Sequence, residues 1–367
     1  MYINDENRMV DIRDLLEGKY QITPPDMECL NDIKKRWDSV AKPLDGMGKF
    51  ETVTSKMGAI LGDTSMDFKK KAILVFCADN GVVEEGVSQS GQNVTLAVAK
   101  AMGKRQSSVC KMAEKIGADV IPIDVGINTN LEIEGVINKR IRQGTRNFSK
   151  EPAMTEDEVL KAIRIGMDMV LECKQSGYKM IGVGEMGIGN TTTSCAVATA
   201  LLGCRAETIV GRGAGLSDEG LRKKEKVIQE AVERYNLYQA KPMEVLRNVG
   251  GFDIAALTGA VIGGAVYHVP IILDGVITVV AALVACRMFE PVREFIFASH
   301  IGKEPAIAGI VEKLGLEPVI CADLALGEGT GAVLFCGMID IAMEVYSLYT
   351  FNDLKIEPYV RNESDGV

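Results

Sequence analysis

Short apolar runs return along the chain at residues 72–76, 120–123, 180–183, 271–273, 295–297 and 319–320, and the stretches between them carry apolar residues at helical spacing. Runs this short, without polar alternation, suit parallel strands whose two faces are both covered by helices. Strand, helix, strand in this order implies right-handed crossovers, hence an α/β fold with a doubly wound, mostly parallel, Rossmann-like sheet. The clearest helix covers residues 156–175. Thr155 and Glu158 are spaced as a capping box, Val159, Ile163, Met167, Val170 and Leu171 share one face, and Gly177 ends it. Residues before Lys69 are charged and helix-like, and the helix after Gly331 has no strand to follow. Segments 1–68 and 333–367 are therefore expected to form a small helical domain beside a large α/β domain at 69–332.

Charge and composition narrow the partners. A net charge of -9 gives no reason to expect nucleic acid or an anionic membrane. Nine cysteines stand without any C-x-x-C pair, mostly in apolar runs, and read as small core residues of a reduced protein. With only two histidines, His268 and His300, no Cys/His zinc site is expected, and no metal or cofactor is assigned. Residues 1–18 lack the basic flank and apolar core of a signal peptide, so a cytoplasmic location is expected. The apolar stretch 268–287 approaches the length of a membrane span, but Pro270 and Asp274-Gly275 divide it into a strand and a core helix.

In an open parallel sheet, chemistry gathers at the C-terminal ends of the strands. There the sequence places Asp79-Asn80-Gly81, then Gly184 to Thr191, Asp274-Gly275, Ser299-His300, and Gly327-Glu328-Gly329-Thr330-Gly331. Gly182, Gly184 and Gly187 spell G-x-G-x-x-G, which on its own suggests a dinucleotide loop and an NAD-dependent oxidoreductase. Against that, the next helix begins only at Asn190 or Thr191, and Glu207 precedes an apolar run instead of following one. A glycine turn followed by a helix N-terminus and hydroxyls also suits one phosphate monoester. A second glycine turn at 211–215, with Ser217 capping a helix that carries Lys223 and Lys224, adds positive charge. Flexible loops with capped helices explain either turn alone, less easily both. Glu185 and Glu328 lie among glycines, where a carboxylate can approach a ligand. Glu328 suits a general base, with its protonation left open because partial burial and a helix N-terminus pull its pKa in opposite directions. The loop at 126–153 reads as a surface excursion or a flap.

These motifs, with Asp79-Asn80-Gly81-Val82, residues 85–88, 184–192, 210–221, 248–260, 270–275, 298–305 and 324–332, closely resemble the nicotinate-nucleotide:dimethylbenzimidazole phosphoribosyltransferase family over roughly residues 40 to 350, in unbroken order. The resemblance implies transfer of the ribose phosphate of nicotinate mononucleotide to an aromatic base, giving an α-ribotide for the lower ligand of a cobamide. Glu328 then becomes the base. Glu185, Gly187, Gly189, Asn190, Thr191, Gly211, Arg212, Gly213 and Lys224 become the phosphate and ribose residues. Asp79, Asn80, Ser88, Met186, Leu326 and His300 are assigned to the acceptor pocket, and His268 to structure.

Departures from the family pattern cluster at the acceptor end: Asn80 in place of a histidine, Ser90-Gly91 in place of an aromatic-proline pair, and the 42–48 segment Lys42-Pro43-Leu44-Asp45-Gly46-Met47-Gly48. They imply a roomier or more polar pocket and raise a phenol as an acceptor beside the benzimidazoles. The resemblance also implies a dimer, a homodimer or one formed with a homologous chain. Such a pairing keeps open the reading of this chain as a non-catalytic or partly active partner subunit.

Overall fold

The computed structural model describes residues 9–360 apart from 214 and 305. The outer parts of the expected small domain, 1–8 and 361–367, lie outside the described residues. Six parallel strands, β1 (Lys71–Ala78), β2 (Asp119–Gly126), β3 (Ile137–Asn138), β4 (Met180–Met186), β5 (Ile271–Leu273) and β6 (Ile296–Ala298), form one sheet in the order β3-β2-β1-β4-β5-β6. Every residue of β1 is buried, as a central strand covered on both faces demands.

The strands run further than their apolar cores. Gly184, Glu185 and Met186 belong to β4 itself, Glu185 opposite Phe76 and Met186 opposite Cys77, instead of to a loop after it. Backbone pairing with β1 carries the strand through residues whose side chains gave no strand signal. The run at 319–320 is also different from expectation. Its Ile320 belongs to β8 (Ile320–Cys321), half-buried to exposed, which pairs with β7 (His300–Ile301) in a separate two-stranded ribbon outside the main sheet. The excursion at 126–153 contributes the edge strand β3, too short to leave a period.

Nine helices matter for the site: α1 (Met27–Ser39), α2 (Lys49–Leu61), α3 (Ser108–Lys115), α4 (Glu156–Gln175), α5 (Asn190–Leu202), α6 (Asp218–Arg234), α7 (Phe252–Val266), α8 (Val276–Met288) and α9 (Thr330–Tyr346). The capping box of Thr155 and Glu158 starts α4 where expected, and Ser217 caps α6 through the Gly220 N–H. Helix α7 is buried along its whole length, apolar all round, and packs between α4 and α8. The stretch at 268–287 divides into β5 and α8, and no helix among the described residues is long and apolar enough to cross a membrane. All nine cysteines are free thiols, six of them buried.

At the chain ends, Arg36 on α1 donates to the carbonyls of Tyr346 and Leu348, and Trp37 meets the Tyr346 ring edge-on. Helix α9 packs on β4, β5 and α3, which brings its N-terminus to the C-terminal edge of the sheet.

Candidate active site

Strand order reverses between β1 and β4, and in a doubly wound sheet that switch point opens a crevice beyond the strand ends. A cavity of about 350 Å³ lies there. Its floor is Glu185 and Met186 from β4, one wall is the Gly187–Gly189 turn with the start of α5, and another is Arg212 and Gly213. Asp274, His300 and the 324–328 loop close the far side.

Glycines decide how these parts meet. A Cβ on Gly182 would stand 2.9 Å from the Ala332 Cβ, and one on Gly184 would stand 2.4 Å from the Gly329 nitrogen and 2.6 Å from the Glu328 carbonyl carbon. On Gly187 it would meet the Ala78 carbonyl oxygen at 2.3 Å. The G-x-G-x-x-G therefore makes room for the Glu328 loop and for β1, so its spacing has a packing cause and lends no weight to a dinucleotide. A methyl at Gly184 must displace backbone. Gly184→Ala is accordingly expected to move Glu328 and lower turnover by about 10²-fold. Steady-state kinetics with an unchanged far-UV spectrum would check this.

Glu328 stands at φ 60°, between Gly327 at 84° and Gly329 at 91°, so three successive residues hold the left-handed conformation. Its Oε2 accepts the Val109 N–H at 3.2 Å, from the first turn of α3. Burial raises its pKa above the usual carboxylate range, while the Val109 N–H and the Ser107 hydroxyl oppose the rise.

Behind it lies a group of buried acids. Burial, and then the neighbouring Asp253 charge, push Glu185 up to about 8, against a hydrogen bond from the Asn190 amide. Burial raises Asp253 to about 6. Asp274 is raised by burial too, opposed by His300 and by backbone N–H groups, and burial lowers His300. A carboxyl whose folded pKa exceeds its unfolded value stabilises the fold fully below the unfolded pKa, and that stability is lost as pH rises through the folded value. Glu185→Gln should therefore melt higher than the parent protein at pH 9, with the difference shrinking toward pH 5. Melting curves at both pH values would show it.

Lys224 is buried on α6, and its Nζ donates to the Thr191 hydroxyl and the Gly211 carbonyl, each at 3.1 Å. Both partners are neutral. A buried ammonium held by neutral dipoles beside a glycine turn and a helix N-terminus is poised for an anion.

Comparison with known proteins bears on what that anion belongs to. A phosphoribosyltransferase family model matches residues 22–356. A nicotinate-nucleotide–dimethylbenzimidazole phosphoribosyltransferase of Acetivibrio thermocellus is 42% identical over 333 residues, 90% of this chain and 95% of that one. Its counterpart from Clostridium acetobutylicum is 41% identical over 351 residues, 95% of this chain and 99% of that one. The chain belongs to the nicotinate-nucleotide:dimethylbenzimidazole phosphoribosyltransferase family. A crystal structure of CobT from Thermus thermophilus superposes with a TM-score of 0.85 at 34% identity, over 90% of this chain and 100% of that one. None of these relatives is named as a dehydrogenase or as a non-catalytic partner.

In this phosphoribosyltransferase, Glu328 lines the cavity, as do Glu185, Gly187, Gly189, Asn190, Thr191, Arg212 and Gly213. Lys224 stands behind them, its Nζ 3.6 Å from where a Gly213 Cβ would be, and Gly211 turns its carbonyl to that Nζ. The Arg212 guanidinium is engaged by Asp218 and by the Leu216 carbonyl. Ala214 of that turn and Pro305 of the 298–305 motif lie outside the described residues. Of the acceptor residues, Ser88, Met186, Leu326 and His300 line the cavity.

Asp79 and Asn80 do not line the cavity. Asp79 accepts the Asn128 N–H at 2.8 Å, and Asn80 accepts the hydroxyl of Thr193 on α5 at 3.0 Å, both buried. Asn80 therefore lies beneath the turn before α5 and is not part of the pocket wall. Ser90 and Gly91 are likewise outside the lining, whereas Gln89 is in it. His268 meets the Thr23 hydroxyl through Nε2 at 2.8 Å and does not line the cavity.

Sequence reasoning assigned no role to Asp253, Asp274, Ser107 or Val109. Asp274 left a signal, an acid at a strand end. Ser107 and Val109 left none, because their link to Glu328 spans more than two hundred residues.

Proposed function

We propose that this chain transfers the ribose 5-phosphate of nicotinate mononucleotide to an aromatic base, releasing nicotinate and forming an α-ribotide for a cobamide lower ligand. The observation that carries this reading is a buried Lys224, held by the neutral Thr191 hydroxyl and Gly211 carbonyl behind a glycine turn that lines the cavity, together with a carboxylate in the same lining, Glu328, with a raised pKa. The phosphate sits on the N–H groups of the 187–191 and 211–213 turns, with Lys224 and Thr191 completing its shell. The ribose lies over Glu185 and Asn190.

The acceptor nitrogen forms its bond to C1′ from the face opposite nicotinate. The C1′–nicotinate bond breaks with its electron pair leaving on the pyridine nitrogen, and the acceptor's proton passes to Glu328. Inversion converts a β-linked donor to an α-linked product. Positive charge gathers on the sugar, and an ionised carboxylate facing it favours it. Val98, Met186 and Leu326 give the flat ring apolar walls, with Ser88 and His300 as polar edges.

A homodimer or a pairing with a homologous chain, a cytoplasmic location, and the grouping of 1–68 with 333–367 against 69–332 are parts of the same proposal. Incubation of the purified chain with nicotinate mononucleotide and a panel of benzimidazoles, purines and phenols, with nicotinate release as readout, tests the activity. Turnover with benzimidazoles supports the reading, and turnover with phenols alone would move the acceptor to that class. No release with any acceptor, alone or with a homologous chain, would overturn it.

A further inference from the structure

Helix α9 begins without a side-chain cap of its own, since Gly329 occupies its N-cap position. Its leading N–H groups are instead met from another strand. Asp274, at the end of β5 and 3% exposed, accepts the Gly329 N–H on Oδ2 at 3.0 Å and the Gly331 N–H on Oδ1 at 2.7 Å. Thr330 adds a bond from its hydroxyl to the Gly327 carbonyl at 2.8 Å. These bonds bracket Glu328 on both sides.

The bracket holds a conformation the chain would otherwise leave. A non-glycine residue in the left-handed region between two glycines is costly and persists only where its surroundings over-determine it. His300 lies beside the same turn. A Cβ on Gly331 would stand 2.2 Å from His300 Nδ1 and 2.7 Å from Asp274 Oδ1, so the imidazole and the carboxylate press on the same glycine, while Ser299 Oγ lies 2.9 Å from Nδ1 on the imidazole.

We infer that Asp274 is the positioning residue for the general base: its carboxylate, clamped on Gly329 and Gly331, sets the left-handed turn that aims Glu328 into the cavity. The inference rests on Glu328 being that base. A carboxylate that both caps a helix and fixes a base is worth more to the reaction than to binding, because the phosphate end of the donor is held by other elements, the 187–191 and 211–213 turns and α6.

The test is a double-mutant cycle on the full-length chain with D274N and E328Q, measuring kcat and the KM for nicotinate mononucleotide. Alone, D274N should lower kcat by about 10²-fold, the scale expected of a misaimed catalytic group, with that KM within about twofold. In the E328Q background it should add less than about threefold, since there is no base left to aim. Losses that multiply in the double mutant, or a large rise in KM, would overturn the inference by making Asp274 independent of Glu328 or a direct substrate contact. E328Q with near-normal kcat would instead strike the base assignment itself, and the inference with it. If D274N does not fold, Gly331→Ala, whose added methyl would press on Asp274 Oδ1 and His300 Nδ1, runs the same cycle.

Discussion

Glu328→Gln is expected to lower turnover by about 10²- to 10⁴-fold, the usual contribution of a positioned general base, while the KM for nicotinate mononucleotide changes little. Glutamine keeps the size of the side chain and an oxygen able to accept the Val109 N–H, so the turn between Gly327 and Gly329 has no new reason to move. Only the capacity to take a proton is removed. The parent enzyme should also betray this group in its pH profile. Because burial raises the Glu328 pKa, and the Asp274 charge adds to that rise against the Val109 and Ser107 donors, the base is protonated nearer neutrality than an ordinary glutamate. The rate should therefore fall on acidification at a pH above the usual carboxylate range, and E328Q should lose that limb. A loss under tenfold, with the limb intact, would reject the assignment.

The second large effect belongs to the other end of the substrate. Lys224→Met should weaken nicotinate mononucleotide by roughly tenfold to 150-fold, since a hydrogen bond to a charged group is worth about 1.5–3 kcal/mol. Methionine fills similar space without the charge, and the partners it deserts, the Thr191 hydroxyl and the Gly211 carbonyl, are neutral. The free protein should then fold, while the rise in Tm that the mononucleotide produces at a given concentration becomes smaller than in the parent. Calorimetric titration and ligand-dependent melting measure both. An unchanged affinity would show that the phosphate is held elsewhere and that Lys224 is structural.

The two effects separate binding from chemistry because different elements supply them. Lys224 comes from α6, behind the turns of α5 and 211–213, while Glu328 comes from the loop that leads into α9. Loss of the first appears in KM and loss of the second in kcat.

Much of this was legible without coordinates. The parallel α/β sheet follows from short apolar runs, five of which fall on its strands, the α4 start from a capping box four residues wide, and the division of 268–287 into β5 and α8 from Pro270 and Asp274-Gly275. The strand-end rule led to Glu185, Asp274, His300 and Glu328 as residues near one edge, and all four line the cavity. The same rule carried Asp79 and Asn80 too far, because a residue just past a strand end can turn under the next helix as easily as over the crevice.

What the sequence determined by itself was local: period, caps, turns and the glycines' freedom, each fixed by neighbours a few residues away. What only the tertiary structure decided was who meets whom. Gly184 is a glycine because Gly329 lies against it, Glu328 is held by an N–H from α3, and Asp274 caps a helix 55 residues further along the chain. Such contacts leave no period in the sequence, since their partners come together only when helices and strands from distant segments pack into one sheet edge.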